Sequence, residues 1–227
     1  MDETTLRRVD RALADHYGHK VLEAGGDPLG GLIATILSQN TTAANSQAAF
    51  RSLVAQFGDW EAVAEAEVER IAEAIRVGGL SDQKARWIKQ ILAQVRREQG
   101  ILDLAFLGRA PTQEALTYLR SFRGVGPKTA ACVLLFELGR PVFPVDTHVH
   151  RIAGRLGWIG PQDTAERAHE ILGSLVPHDL CYELHVNLVE HGRILCRPRD
   201  PRCDTCPIAG DCEWWRARLH REPSREE

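Results

Sequence analysis

Phe122-Arg123-Gly124-Val125-Gly126-Pro127-Lys128-Thr129 is the stretch on which the reading of this chain turns, because it lies between two helical runs and carries the punctuation of a tight reversal. Its two glycines admit backbone angles that other residues resist, Val125 between them can point into a core, and Pro127 suits the first turn of the next helix. The geometry is a hairpin between helices. Its backbone N–H groups of Gly124, Val125 and Gly126, with the positive end of the following helix behind them, form a site for a phosphate without any basic side chain. Pro127 donates nothing, and a glycine-capped loop is the plainer reading of the same residues. Lys128 falls in the first helical turn, where the macrodipole disfavours an ammonium and favours the neutral amine that nucleophilic attack needs.

Working outward, the chain is helical throughout. On the N-terminal side, Leu6, Val9, Leu13 and Tyr17 recur at threes and fours over Thr4–Lys20 behind a threonine cap. Leu29–Leu37 is apolar nearly all round, as a buried central helix would be. Helical spacing continues over Asn45–Phe57, Ala62–Ala66, Val68–Ile75 and Lys84–Gln99, and the glutamates from Glu61 to Glu73 read as solvated helix surface. Beyond a looser connection bounded by Gly100, Gly108 and Pro111, helices resume over Gln113–Ser121, Lys128–Leu138, Thr147–Leu156, Thr164–Leu175 and Cys181–Leu195. No window gives a strand alternation, and no fixed-period repeat or low-complexity tract is present. The expected class is all-α.

The 227 residues, 44% hydrophobic and 26% charged, are enough for one compact domain or two modest ones and exclude disorder and a disulfide miniprotein. No stretch approaches a membrane span, and the acidic start Met1-Asp2-Glu3 lacks the basic head of a signal peptide, so no membrane association and a cytoplasmic location are expected. The net charge of −3 argues against nucleic-acid binding over the whole surface but leaves room for a local basic face.

Two further constellations carry chemistry. Val145-Asp146-Thr147-His148 follows the helix breaker Pro144, which makes Asp146 a helix N-cap; if its helix start meets that of Lys128, an amine and a carboxylate share a cleft. Cys196, Cys203, Cys206 and Cys212 lie within one short segment with a single Cys-x2-Cys pair. Four such thiolates can wrap one iron–sulfur cluster; zinc, which normally takes two such pairs, is the less favoured occupant, and free or disulfide-bonded thiols come last. His191 is near enough in sequence to be an alternative ligand. Cys132 and Cys181 read as buried or unexceptional thiols.

Taken together, the hairpin with Lys128, the Val145–His148 segment and the spacing of the four cysteines resemble endonuclease III of the helix-hairpin-helix, Gly-Pro-Asp superfamily. The likeness runs in order from about Leu29 to Cys212. It implies an all-α fold of two helical domains flanking a DNA-binding cleft: a six-helix domain over 25–142 containing the helix-hairpin-helix, and a discontinuous domain over 1–24 plus 143–227 with a four-iron, four-sulfur (4Fe-4S) cluster. The implied activity is base excision repair: a DNA glycosylase that flips out and removes oxidised pyrimidines and then cuts the strand as an AP lyase. Lys128 would be the nucleophile and Asp146 the carboxylate that supports it. The implied partner is double-stranded DNA containing damaged pyrimidines or abasic sites, bound by a monomer that would be nucleoid-associated in a bacterium.

The resemblance also gives the loops a role. Ser38-Gln39-Asn40-Thr41-Thr42 and Gly78-Gly79-Leu80-Ser81-Asp82 match the family's intercalating loops. Leu80 would be an apolar wedge, Gln39 or Asn40 would bond an orphaned base, Thr41 would line the DNA, and Lys84, read as exposed, would meet a phosphate. Ordinary helix connections remain the plainer reading. Asn40 and Ala43 depart from the usual glutamine and aspartate, which leaves the preferred lesion and opposite base open. His148 would orient the cleft or simply continue the cap, and Arg197, Arg199 and Arg202, braced by the cluster, would clamp phosphates. Three classes of function follow. The favoured one is a glycosylase with lyase activity, with mismatch-specific or monofunctional relatives as alternatives. A non-catalytic DNA-binding module and an electron-transfer iron–sulfur protein are the others.

Overall fold

A computed structural model of the chain describes residues 2–219; the residues after Leu219, counted above with the cysteine-bearing domain, lie outside the described residues. The α-helices in chain order are α1 (Glu3–Tyr17), α2 (Pro28–Leu37), α3 (Ala43–Phe57), α4 (Trp60–Glu65), α5 (Val68–Ala74), α6 (Ser81–Gln99), α7 (Thr112–Arg120), α8 (Pro127–Cys132), α9 (Thr147–Leu156), α10 (Ala165–Leu175), α11 (Cys181–Ile194) and α12 (Glu213–Leu219). No strand occurs among the described residues, so the protein is all-α, as expected. No helix among them is long and apolar enough to cross a membrane.

The chain divides into two compact units, Glu23–Arg140 and the discontinuous Met1–Leu22 with Pro141–Glu227. In the continuous unit, α2 is the central element: Leu29, Leu32, Ile33, Ile36 and Leu37 are all buried on a helix with almost no polar face. Asp27 caps it by accepting a hydrogen bond from Gly30 N, and Pro28 occupies its first turn. Helices α3 and α8 pack on α2, while α6 packs on α4 and α5 and buries Ala85, Ile88, Ile91, Leu92 and Val95. In the discontinuous unit, α1 and α9 both pack on α11, burying Leu6 and Leu13, Val149 and Ile152, and Leu184 and Leu188.

Four local readings change. The cap of α1 is Asp2, whose side chain accepts from Thr5 N, because a carboxylate in extended backbone reaches the free N–H groups that a threonine inside the helix cannot. Helix α6 begins at Ser81, so Ser81 and Asp82 are first-turn residues and the connection is shorter than expected. Helix α8 passes directly into a π-helical turn over Val133–Glu137, a change of pitch that apolar spacing does not register. Helix α12, built on Trp214 and Trp215, was not anticipated by the periodicity.

Candidate functional site

The hairpin is built where α7 ends and α8 begins. Gly124 takes φ +83°, the left-handed region, and a Cβ there would stand 2.5 Å from the Trp87 ring, so a side chain at this position is opposed both by the backbone and by α6. Val125 is buried and its N–H closes the turn on Phe122 O at 3.2 Å. Pro127 occupies the first turn of α8, and Lys128 follows it, half-buried. The 85-residue separation of Gln39 and Gly124 is bridged by one side chain: Gln39 Nε2 donates to Gly124 O at 3.0 Å.

Two connections flank this hairpin in the same unit. Asn40, exposed, has φ +53°, and Leu80 has φ +50° with its side chain 52% exposed. Asp200, in the cysteine segment, shares this conformation at φ +50°. These are the non-glycine residues with positive φ among the described residues, and each lies in a segment for which the resemblance implies DNA contact. A left-handed leucine is uncommon and costs on the order of 1–2 kcal/mol, so the backbone at Leu80 is held against its preference. Thr41 is half-buried, and Thr42 caps α3 by accepting from Asn45 N at 3.2 Å.

Lys84 corrects an expectation. It is only 1% exposed, and its Nζ donates to Leu37 O and Gly78 O, each at 2.9 Å, so it cannot reach a phosphate in the surrounding solvent. Burial holds its pKa below the ordinary lysine value.

In the other unit, Asp146 caps α9 through Oδ1, which accepts from His148 N at 2.9 Å and Val149 N at 2.8 Å. The residues just before it are clamped by two histidines to which the sequence reading gave no role. His169 Nε2 accepts from Val145 N at 3.0 Å while its Nδ1 faces Ala165 O at 2.8 Å, which sets the Nδ1–H tautomer. His185 Nδ1 donates to Pro144 O at 2.9 Å. His148 packs so closely on α11 that a Cβ at Gly192 would lie 2.7 Å from it, and Arg151 Nη2 stands 3.1 Å from its Nδ1.

The four cysteines line one hollow with Arg155, His191 and the apolar side chains of Ile152, Leu156 and Ile208. All four are free thiols. Burial, reinforced by the neighbouring thiols, pushes Cys206 up to about 11 and raises Cys203 and Cys212. Arg155 Nη1 lies 3.1 Å from Cys196 Sγ and also donates to Arg197 O at 2.8 Å, so a guanidinium faces the sulfur atoms. Arg151 donates to Cys196 O at 2.9 and 3.0 Å and to Gly192 O at 2.8 Å. Among the described residues no group of three or more His, Cys, Asp or Glu side chains is gathered around a point suited to a metal ion. The fit therefore stands on the donor set: four thiols on one hollow, with cationic and apolar walls, suit a thiolate-ligated cluster. His191 is buried and lowered to about 4, first by burial; its Nδ1 faces Tyr17 OH at 2.9 Å and its Nε2 lies 3.6 Å from Cys206 Sγ.

Arg197, Arg199 and Arg202 are exposed on the segment between the first two cysteines. The signal that could have revealed Arg151 and Arg155 is their spacing of four on α9, which puts both guanidiniums on the face that meets the cysteine segment.

Comparison with known proteins gives a consistent set. The model of the HhH-GPD superfamily base excision DNA repair proteins matches residues 33–178. An Arabidopsis thaliana protein named only as a candidate DNA glycosylase is 42% identical over 191 residues, covering 80% of this chain and 65% of its own length. Endonuclease III of Thermotoga maritima is 37% identical over 192 residues, covering 85% of each chain. In fold, the chain is similar to the protein in a non-covalent endonuclease III–DNA complex, with TM-score 0.80 and 24% identity over 96% of this chain and 99% of that one.

Proposed function

Because this chain belongs to the HhH-GPD superfamily of base excision DNA repair proteins, a family of DNA glycosylases, we propose that it removes oxidised pyrimidines from duplex DNA and cuts the resulting strand as an AP lyase. The observation that carries the lyase step is Lys128, an amine in the first turn behind the Gly124–Gly126 hairpin. A glycosylase that uses water as nucleophile has no need of an amine there. Support for DNA as the partner comes from the glycine hairpin that opens α8, where the Val125 N–H closes the turn and Gly124 and Gly126 remain the phosphate donors in this reading, and from two exposed, backbone-strained loop residues of the same unit, Asn40 and Leu80.

In this reading Leu80 enters the duplex as the damaged base leaves the stack, and Asn40 bonds the base left behind. The Lys128 amine attacks the anomeric carbon; the C–N bond forms as the bond to the base breaks, and the base departs with that electron pair. Asp146 helps deprotonate the amine and stabilises positive charge on the sugar; its capping bonds use Oδ1, leaving Oδ2 for this task. The sugar ring opens to a Schiff base, loss of a proton from the neighbouring sugar carbon expels the 3′ phosphate, and one strand is cut. His148 supports the start of α9, while Arg197, Arg199 and Arg202 hold backbone phosphates.

Cys196, Cys203, Cys206 and Cys212 would hold a 4Fe-4S cluster. When bound, it supplies four covalent ties to a segment that has little helix of its own, and with all four ligands from the protein it offers substrate no open position. The experiment is borohydride trapping on a duplex with one thymine glycol, comparing the native chain with Lys128→Ala and an abasic duplex as control. Trapping and cleavage that vanish together in the variant are expected. Base release without trapping in the native chain would remove the lyase, and trapping on the abasic site alone would remove the oxidised-pyrimidine assignment.

A further inference from the structure

The two loops and the hairpin are joined inside one unit by a side chain that the mechanism does not use. Lys84 Nζ donates to Leu37 O and to Gly78 O, each at 2.9 Å. Leu37 is the last residue of α2 and the root of the Asn40 loop, while Gly78 stands two residues ahead of Leu80. One ammonium thus takes a carbonyl from the base of each loop. The Leu37 carbonyl also belongs to the negative end of α2, where a cation is favoured.

The connection continues to the hairpin. Two residues beyond Leu37, Gln39 Nε2 donates to Gly124 O, and Trp87, one turn after Lys84 on α6, packs against Gly124. Adjacent turns of α6 therefore hold the loop roots and the hairpin. Burying a charge against two neutral carbonyls is costly, and a methionine would fill the same space without that cost. What the ammonium adds is a fixed distance between two carbonyls, which an apolar side chain cannot impose.

We propose that Lys84 is a positioning residue that makes the Asn40 loop, the Leu80 loop and the Gly124 hairpin act on DNA as one rigid edge. The proposal rests on the glycosylase reading given above. Its consequence is that the wedge and the residue facing the orphaned base enter together, so the loss of either leaves the other ineffective.

The test uses the intact chain, a lesion duplex with 2-aminopurine beside the damaged base, and a single-stranded oligonucleotide with an abasic site, which needs no strand parting. In Lys84→Met, the single-turnover rate of base release and the 2-aminopurine fluorescence rise on the duplex should both fall about tenfold, with single-strand cleavage within about twofold of native. Equal loss on both substrates, or loss on neither, would overturn the proposal. A second measurement covers a variant that does not fold: in the native background, Asn40→Ala and Leu80→Ala should be non-additive, the double variant losing no more than the worse single one. Independent, additive losses would overturn it. A native chain that releases no base and cuts neither substrate overturns the glycosylase reading and the proposal with it, whereas native activity with unaffected Lys84→Met overturns the positioning role alone.

Discussion

The two units solve the problem of holding a site in opposite ways. Glu23–Arg140 is centred on an aliphatic helix, and the one buried charge in its core, Lys84, has two carbonyl partners. The other unit contains every buried side-chain polar atom that lacks a hydrogen bond among the described residues: Asp10 Oδ1, Asn187 Nδ2 and Asn187 Oδ1. Its cysteine segment is short turns rather than regular helix, and Arg151 and Arg155 tie it down through carbonyls of Cys196, Arg197 and Pro198. Apolar burial on α2 frames the first unit, with Lys84 and Gln39 pinning its loops to that frame; directional arginine contacts hold the cysteine segment of the second. The lesson is that the same substitution chemistry should have different consequences on the two sides.

The sharpest contrast concerns chemistry. Lys128→Ala in the first unit should abolish borohydride trapping, a loss beyond about a thousandfold, whereas Asp146→Asn in the second should slow base release about a hundredfold. Asparagine still caps a helix, so the Asp146→Asn protein should keep its native melting temperature; a large drop in melting would show that Asp146 acts through the fold alone. Next in size, Ile33→Ala in the core of α2 should cost about 2–5 kcal/mol in denaturant unfolding, as deletion of buried methyl groups leaves a cavity. Arg151→Met should cost less, about 2 kcal/mol, because it leaves the Cys196 and Gly192 carbonyls without their donor. If Arg151→Met proves the more damaging of the two, the contrast between apolar and polar support is wrong.

A pH series sharpens the comparison further. Burial, with Glu183 and Asp179 adding repulsion, raises Asp10 to about 6. Its carboxyl therefore binds a proton more readily in the folded chain than in the unfolded one, so its charged form opposes folding above pH 6, and that penalty is relieved as pH falls from about 6 towards 4. Asp10→Asn should raise the melting temperature at pH 8 and leave it unchanged near pH 4. A stabilisation equal at both pH values would mean that the cause is not ionisation. The smallest effect belongs to the arginines: Arg199→Ala should weaken binding to all duplexes alike and reduce the slope of log affinity against log salt by about 0.9, the value for one phosphate contact.

Much of this was legible in the sequence. The cap at Asp146, the buried α2 and the hairpin follow from residue type and position together, and local rules suffice for them. Lys84 shows where such rules stop. It shares the buried stripe of α6 with Ile88, Ile91 and Val95, so its place was written in the periodicity, but its charge argued for the surface; only the carbonyls of Leu37 and Gly78, brought to it by the fold, make burial tolerable. His169 and His185 were illegible for a related reason, since their partners are backbone atoms 24 and 41 residues away. The turn at Val133–Glu137 escaped because adding a residue to a helical turn leaves no mark on composition.

Gly124 closes one route of change altogether. Its backbone stands at φ +83°, and the Trp87 ring occupies the space where a Cβ would project. A residue tolerant of left-handed backbone, such as asparagine, would meet the ring, and shrinking Trp87 to make room would still leave most side chains with the wrong backbone. Position 124 is thus guarded by two unrelated barriers, and no single compensating change elsewhere removes both. In a library randomised at this codon and selected for folded protein, the expected survivor is glycine.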